Sequence, residues 1–114
     1  LASFGGTLPD GRRSDGVLIA AAAGTAVKAI ADGTVVYADW MTGYGNILII
    51  DHGNGYKSLY AHNDGLSRDA GDVVKRGDTV ASVGTSGGQD VPALYFELRR
   101  NGAPVNPASW LTRQ

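Results

Sequence analysis

Residues 92–99 hold the densest set of side chains that could do chemistry. In an extended strand, Ala93, Tyr95, Glu97 and Arg99 share one face, and Leu94, Phe96 and Leu98 share the other. The second set reads as core. On the first, tyrosine offers a rigid ring with a polar tip, and arginine can clamp a carboxylate with two bonds. Such a face suits a bound peptide segment. The plainer reading is a solvent-facing Glu97–Arg99 pair worth under about 1 kcal/mol. The two histidines, His52 and His62, lie in separate segments and read first as hydrogen-bonded structural residues. The chain has no cysteine, so thiolate metal sites and disulfides are excluded. Tyr44 stands between two glycines, which lets a loop present its ring outward or pack it inward, and Ile47 follows in the next strand. Gly84-Thr85-Ser86-Gly87-Gly88 is glycine-rich, but no helix or lysine follows, so it does not read as a phosphate loop. Trp40 and Trp110 read as core or edge packing, with stacking on sugar as the alternative.

Strands must position these residues. The chain has 114 residues, seventeen of them glycine, and is 43% hydrophobic, which suits one domain of short strands and many turns. Strands are expected at 17–20, 26–31, 33–40, 45–51, 56–62, 79–84 and 93–99. Asp32-Gly33 suits a tight turn, Gly53-Asn54-Gly55 a hairpin tip, and Asn101-Gly102 is the strongest two-residue hairpin signal. No window sustains a helical period. The fold class is therefore all-β, a compact antiparallel sheet or sandwich, with residues 1–13 as a loosely ordered lead-in. Ten basic residues against eleven acidic ones leave no footprint for nucleic acid. The longest apolar run, residues 17–23, is far short of the ~20 residues that span a bilayer. The chain opens at Leu1 without a signal-like segment and reads as a piece of a longer protein.

One internal echo stands out. Gly24-Thr-Ala-Val-Lys28 with Asp32-Gly-Thr-Val35 matches Gly71-Asp-Val-Val-Lys75 with Gly77-Asp-Thr-Val80. Two copies do not make a solenoid, and the echo reads as recurrent hairpin grammar. It also resembles the hammerhead of biotinyl or lipoyl carriers, but neither Lys28 nor Lys75 sits at a hairpin tip.

Seven ordered segments carry a wider resemblance: Gly24-Thr-Ala-Val27 with Ala31-Asp-Gly-Thr-Val-Val36; Gly43-Tyr-Gly-Asn46; Asp51-His-Gly-Asn-Gly-Tyr56; Leu59-Tyr-Ala-His62; Ala70-Gly-Asp-Val-Val74; Val83-Gly-Thr-Ser-Gly87; and Leu94-Tyr-Phe-Glu-Leu-Arg99. In this order they resemble the LytM domain of lysostaphin-type zinc metallopeptidases, over about residues 14–111. Domain 14–114 is thus expected to take the lysostaphin-like, duplicated-hybrid-motif fold. The resemblance implies a zinc site built from a His-x-x-x-Asp motif and the second histidine of a His-x-His strand. The first histidine of that strand and a Tyr-x-His histidine would assist. Matched residue by residue, the ligand positions fall on Ser14, Leu18 and Tyr95, and the strand's assisting position on Ala93. Only the Tyr-x-His histidine remains, as His62. Leucine has no donor atom, and a neutral tyrosine is a poor ligand. The expectation is a degenerate domain with no metal and no cofactor.

Val27-Lys-Ala-Ile-Ala-Asp-Gly33, Ala38-Asp-Trp40, Ser86-Gly-Gly-Gln89 and Arg99-Arg100 narrow the resemblance to the C-terminal domain of EnvC-type murein hydrolase activators. That family implies a periplasmic, non-catalytic activator of N-acetylmuramoyl-L-alanine amidases at cell division in Gram-negative bacteria. Its coiled coil, absent from this chain, would couple to FtsEX. The expected groove for the amidase regulatory segment comprises Asp15, Leu18, Tyr44, Ile47, His62, Tyr95, Glu97 and Arg99. Leu18 would make the groove apolar or serve as simple core, and Asp15 could pair with a basic partner residue. The alternatives are a zinc endopeptidase acting on peptidoglycan cross-bridges and a passive peptidoglycan-binding module. No direct membrane insertion is expected.

Overall fold

A computed structural model describes residues 16–106. It contains nine strands among the described residues: β1 (Val17–Ala20), β2 (Ala26–Lys28), β3 (Gly33–Met41), β4 (Gly45–Gly53), β5 (Tyr56–Leu66), β6 (Val73–Val74), β7 (Thr79–Val83), β8 (Ala93–Arg100) and β9 (Ala103–Val105). β-Branched and aromatic side chains recur in these runs, and glycines break them. Every pairing is antiparallel, with the main order β1-β8-β5-β4-β3-β6. β9 extends the sheet from β8, and β7 joins β5 to β2. No helix among the described residues is long and apolar enough to cross a membrane.

The expected alternation decides the core. Leu48, Ile50, Tyr60, Phe96 and Leu98 point from one face of the main sheet into a cluster with Val27, Val80, Ala81 and Val83 of β2 and β7. Leu94 packs half-buried against the same cluster. The opposite face carries Leu18, Tyr95, Glu97, Ile47 and Ala61, and this is the face of the candidate site.

The two copies of the internal echo exchange strands. β2 of the first pairs with β7 of the second, and β3 of the first pairs with β6 of the second. The two segments of the echo therefore pair with each other, which shared hairpin grammar alone does not require. Two short strands, β6 and β9, were not expected, because two or three residues give alternation too little length to register.

Asp32-Gly33 differs from its expected tight turn. β2 and β3 do not pair with each other, so the chain bends there to change partners. Gly33 is required by crowding: a Cβ would meet Ile50 Cγ2 at 2.6 Å. The other two turns are as expected, with left-handed backbone at Gly53, Asn54 and Gly55 and at Asn101 and Gly102. Trp40 is 54% exposed, beyond the point where β6 stops pairing with β3, so it packs at most along an edge and not in the core. Trp110 lies outside the described residues.

His52 is tied into a structural hydrogen-bond network. Its Nδ1 lies 2.8 Å from the Asp32 carbonyl and its Nε2 2.7 Å from Ser58 Oγ. Ser58 and Tyr60 hydroxyls lie 2.8 Å apart, and the Ile30 amide donates to the Tyr60 oxygen at 3.2 Å. Burial pushes the Tyr60 phenol up to about 12, against the opposing hydrogen bonds from Ser58 and Ile30. The raised value means that the unfolded chain ionises first as pH rises. Tyr60's contribution is thus fully present below about pH 10 and is lost on the way to pH 12, by roughly 2–3 kcal/mol. Urea unfolding at pH 9 and pH 11.5 should show a smaller alkaline loss in Tyr60→Phe than in the unsubstituted domain.

Candidate functional site

The site forms where β5 changes neighbours. Up to Ala61 the strand pairs with β8, and from Asn63 it pairs with β7. On the other side, Asn46 faces Asn63 but Leu48 faces Tyr60, so Ala61 and His62 together oppose Ile47. That is a bulge, and its extra residue is His62, in a left-handed conformation with φ of 65°. Such backbone costs a non-glycine residue roughly 1–2 kcal/mol. Local bonds offset it. The His62 amide donates to the Tyr44 carbonyl at 2.8 Å, and His62 Nδ1 lies 2.7 Å from the Ser86 carbonyl. A carbonyl only accepts, so Nδ1 carries the proton.

Ser86 ties the surroundings together. Its hydroxyl donates to the Asn63 carbonyl at 2.6 Å and accepts the Asn46 amide at 3.0 Å. Asn63 is wholly buried, and its Nδ2 donates to the carbonyls of Asn46 and Tyr60, each at 3.0 Å. In return Asn46 Nδ2 donates to the Asn63 and Asp64 carbonyls. These three residues were missed as site residues. The signal available for two of them was an adjacent glycine, Gly45 beside Asn46 and Gly87 beside Ser86, whose backbones pack against each other.

Tyr44 stands at the β3–β4 tip, its amide bonded to the Met41 carbonyl. Its ring centroid lies 6.1 Å from that of Tyr95, and His62 lies 6.2 Å from Tyr95 on another side. Leu18 pairs in register with Tyr95 across β1–β8, and Ala61 pairs with it across β5–β8. Leu18 is half-buried and is not part of the core cluster. Thus Leu18, Tyr44, His62 and Tyr95 come together. Ala93, two residues before Tyr95 on the same strand, is completely buried.

Glu97 overturns one expectation. It is no solvent-facing partner: it is 1% exposed. Its Oε2 accepts the Tyr95 hydroxyl at 2.6 Å, and its Oε1 accepts Arg99 Nε at 2.7 Å. Glu97 therefore lies on the same face as Tyr95 but is too buried to line a groove. Ile47 is corrected likewise, because it is wholly buried. Arg99 also donates Nη1 to the Gly102 carbonyl, and lies about 13 Å along the strand from Tyr95. Ser14 and Asp15 lie outside the described residues. Two open depressions, beside His52 and Val73 and beside Lys57 and Asn101, include none of Tyr44, His62 and Tyr95.

This strand order and site define a lysostaphin-type domain. The catalytic domain of lysostaphin from Staphylococcus simulans superposes with a TM-score of 0.89 at 28% identity, over 97% of this chain and 90% of that one. The chain belongs to peptidase family M23, whose sequence pattern matches residues 12–107. It is 48% identical over 110 residues to the murein hydrolase activator EnvC of Escherichia coli (strain K12), covering 96% of this chain and 26% of that protein. It is 42% identical over 98 residues to the DD-carboxypeptidase/endopeptidase Mpg of Neisseria meningitidis serogroup B, covering 86% of this chain and 23% of that protein. The chain thus spans about a quarter of the length of these relatives.

The resemblance implies zinc, and the described residues at the matched positions do not fit it. Leu18 offers no lone pair, and the Tyr95 hydroxyl is donated into Glu97. Among the described residues, no group of three His, Cys, Asp or Glu could hold a metal ion.

Gly43 and Gly45 separate conformation from crowding at the Tyr44 tip. Both have left-handed φ, but only at Gly45 would a Cβ meet the Ser86–Gly87 backbone. Gly43→Ala should cost about 1 kcal/mol and Gly45→Ala at least about 2 kcal/mol more, measured by urea denaturation.

Proposed function

We propose that this domain is a non-catalytic activator of periplasmic N-acetylmuramoyl-L-alanine amidases in peptidoglycan splitting at cell division. The face around Leu18, Tyr44, His62 and Tyr95 takes up the amidase's regulatory segment and so favours the open enzyme. One observation carries the reading. At the pair of positions where the family resemblance expects zinc ligands, Leu18 and Tyr95 stand in register, and Tyr95 is bonded to Glu97. An aromatic, largely apolar floor with a polar tip holds peptide well. The shift in the amidase requires that its segment bind this face better than its own active site. The similarity to EnvC, named a murein hydrolase activator, supports the same reading. In a longer chain of the EnvC type, a preceding coiled coil would couple the domain to FtsEX.

A second reading has one observation in its favour, the 42% identity to Mpg, named a peptidase. It is a zinc endopeptidase acting on peptidoglycan, and it predicts one zinc per chain in purified protein.

Dye-labelled peptidoglycan separates the two. We expect release only when this domain and an amidase are present together. Tyr95→Ala and Arg99→Ala should each lower that release at least tenfold, a loss of about 1.4 kcal/mol or more, at a temperature where circular dichroism shows each variant still folded. Release by the domain alone would replace the activator with the peptidase. Sedimentation with sacculi without any effect on the amidase would leave a passive binding module.

A further inference from the structure

β3 pairs with β4 on one side from Thr34 to Met41. On its other side the cover is short. β6 pairs only with Gly33 and Thr34. Val35 then bonds to the backbone of the preceding turn, its amide to the Asp72 carbonyl at 2.8 Å and its carbonyl to the Gly71 amide at 2.7 Å. Val36 is a bulge residue, and from there to Met41 no strand among the described residues pairs with this side. An open strand edge is a template for another strand, and this one carries the exposed side chains of Val36 and Trp40.

Alternation fixes which backbone groups point outward. In an antiparallel ladder, residues of a non-hydrogen-bonded pair turn their amides and carbonyls away from each other. Asn46 stands opposite Trp40, and its amide goes to Ser86 Oγ at 3.0 Å, not to β3. The Trp40 amide and carbonyl therefore point outward, as do those of Ala38, two residues back. The Trp40 groups are already occupied. The amide donates to Asp39 Oδ1 at 2.7 Å, and the carbonyl accepts the Tyr37 hydroxyl at 3.1 Å. Both bonds lie in the open, where water would serve these groups as well, so they add little to stability. Their effect is on the edge: an incoming strand must break them to pair at Trp40.

A second copy of the chain fits this edge. A two-fold antiparallel pairing about Ala38 exchanges both bonds between the two Ala38 residues. It also sets Trp40 of each copy opposite Val36 of the other, exposed apolar residues in one register. We propose that Tyr37 and Asp39 guard the edge of β3: by occupying the outward amide and carbonyl of Trp40, they prevent strand pairing with a second copy and keep the domain monomeric. The inference is independent of the activator reading.

Sedimentation equilibrium tests it on the unsubstituted chain, on Tyr37→Phe/Asp39→Ala, and on that double variant with Ala38→Pro added. Proline removes an amide that points away from β4, a position where an edge strand tolerates it. The unsubstituted chain should keep the mass of one chain at every concentration. The double variant should rise toward twice that mass as concentration increases, and Ala38→Pro should return it to one. A double variant that stays monomeric overturns the proposal. So does an unsubstituted chain that dimerises, or a dimer that survives Ala38→Pro, which would place the contact elsewhere. Amide exchange in single variants decides the matter even if the double variant does not fold. The Trp40 amide should exchange at least about tenfold faster in Asp39→Ala and as slowly as before in Asp39→Asn, which keeps the acceptor and drops the charge. An unchanged rate in Asp39→Ala, or equal acceleration in Asp39→Asn, overturns the guard.

Discussion

The site depends on one backbone constraint, the left-handed conformation of His62. One residue separates the part of β5 that pairs with β8 from the part that pairs with β7. A strand cannot change partners in so short a distance without a bulge, and here the bulge residue is not a glycine. The conformation is held from both sides, by the Tyr44 carbonyl on the amide and the Ser86 carbonyl on the ring. The same two contacts bring the Tyr44 tip and the 84–90 loop against the strand. A costly local conformation therefore gathers three segments of the chain around Tyr95.

A second constraint lies under the first. A charge taken out of water is costly unless its lone pairs are used, and removing one partner of a buried pair costs about 3–5 kcal/mol. Glu97 meets that requirement with Tyr95 on one oxygen and Arg99 on the other. The arrangement fixes an aromatic and a cation along one strand, with a spacing set by strand geometry.

Much of the fold was legible in the sequence. The β-branched runs, the glycine-bearing turns and the period-two alternation place seven strands and the core face of β8. β6 and β9 were not legible, because they are shorter than the alternation that signals a strand. Asp32-Gly33 carried turn chemistry but serves a change of strand partners within the sheet, where the demand for glycine comes from Asp51 and Ile50, residues distant in sequence. At the site, the convergence of Leu18, Tyr44, His62 and Tyr95 followed from alternation and the family resemblance. The burial of Glu97 and Ile47 did not, since alternation assigns a face but cannot say how deeply neighbouring strands cover it. Ser86, Asn46 and Asn63 were hidden for a related reason. Their bonds to one another span 17 to 40 positions of sequence, and no local pattern encodes a contact of that range.

The central claim is that partner capture occurs on the face around Tyr95. Amide hydrogen exchange on the domain, with and without a purified N-acetylmuramoyl-L-alanine amidase, tests it most directly. The account predicts added protection at the Tyr44 tip, at residues 61–63 and in the loop 84–90, with little change elsewhere. Protection confined to the depression beside His52 and Val73, or absent throughout at saturating amidase, would contradict it.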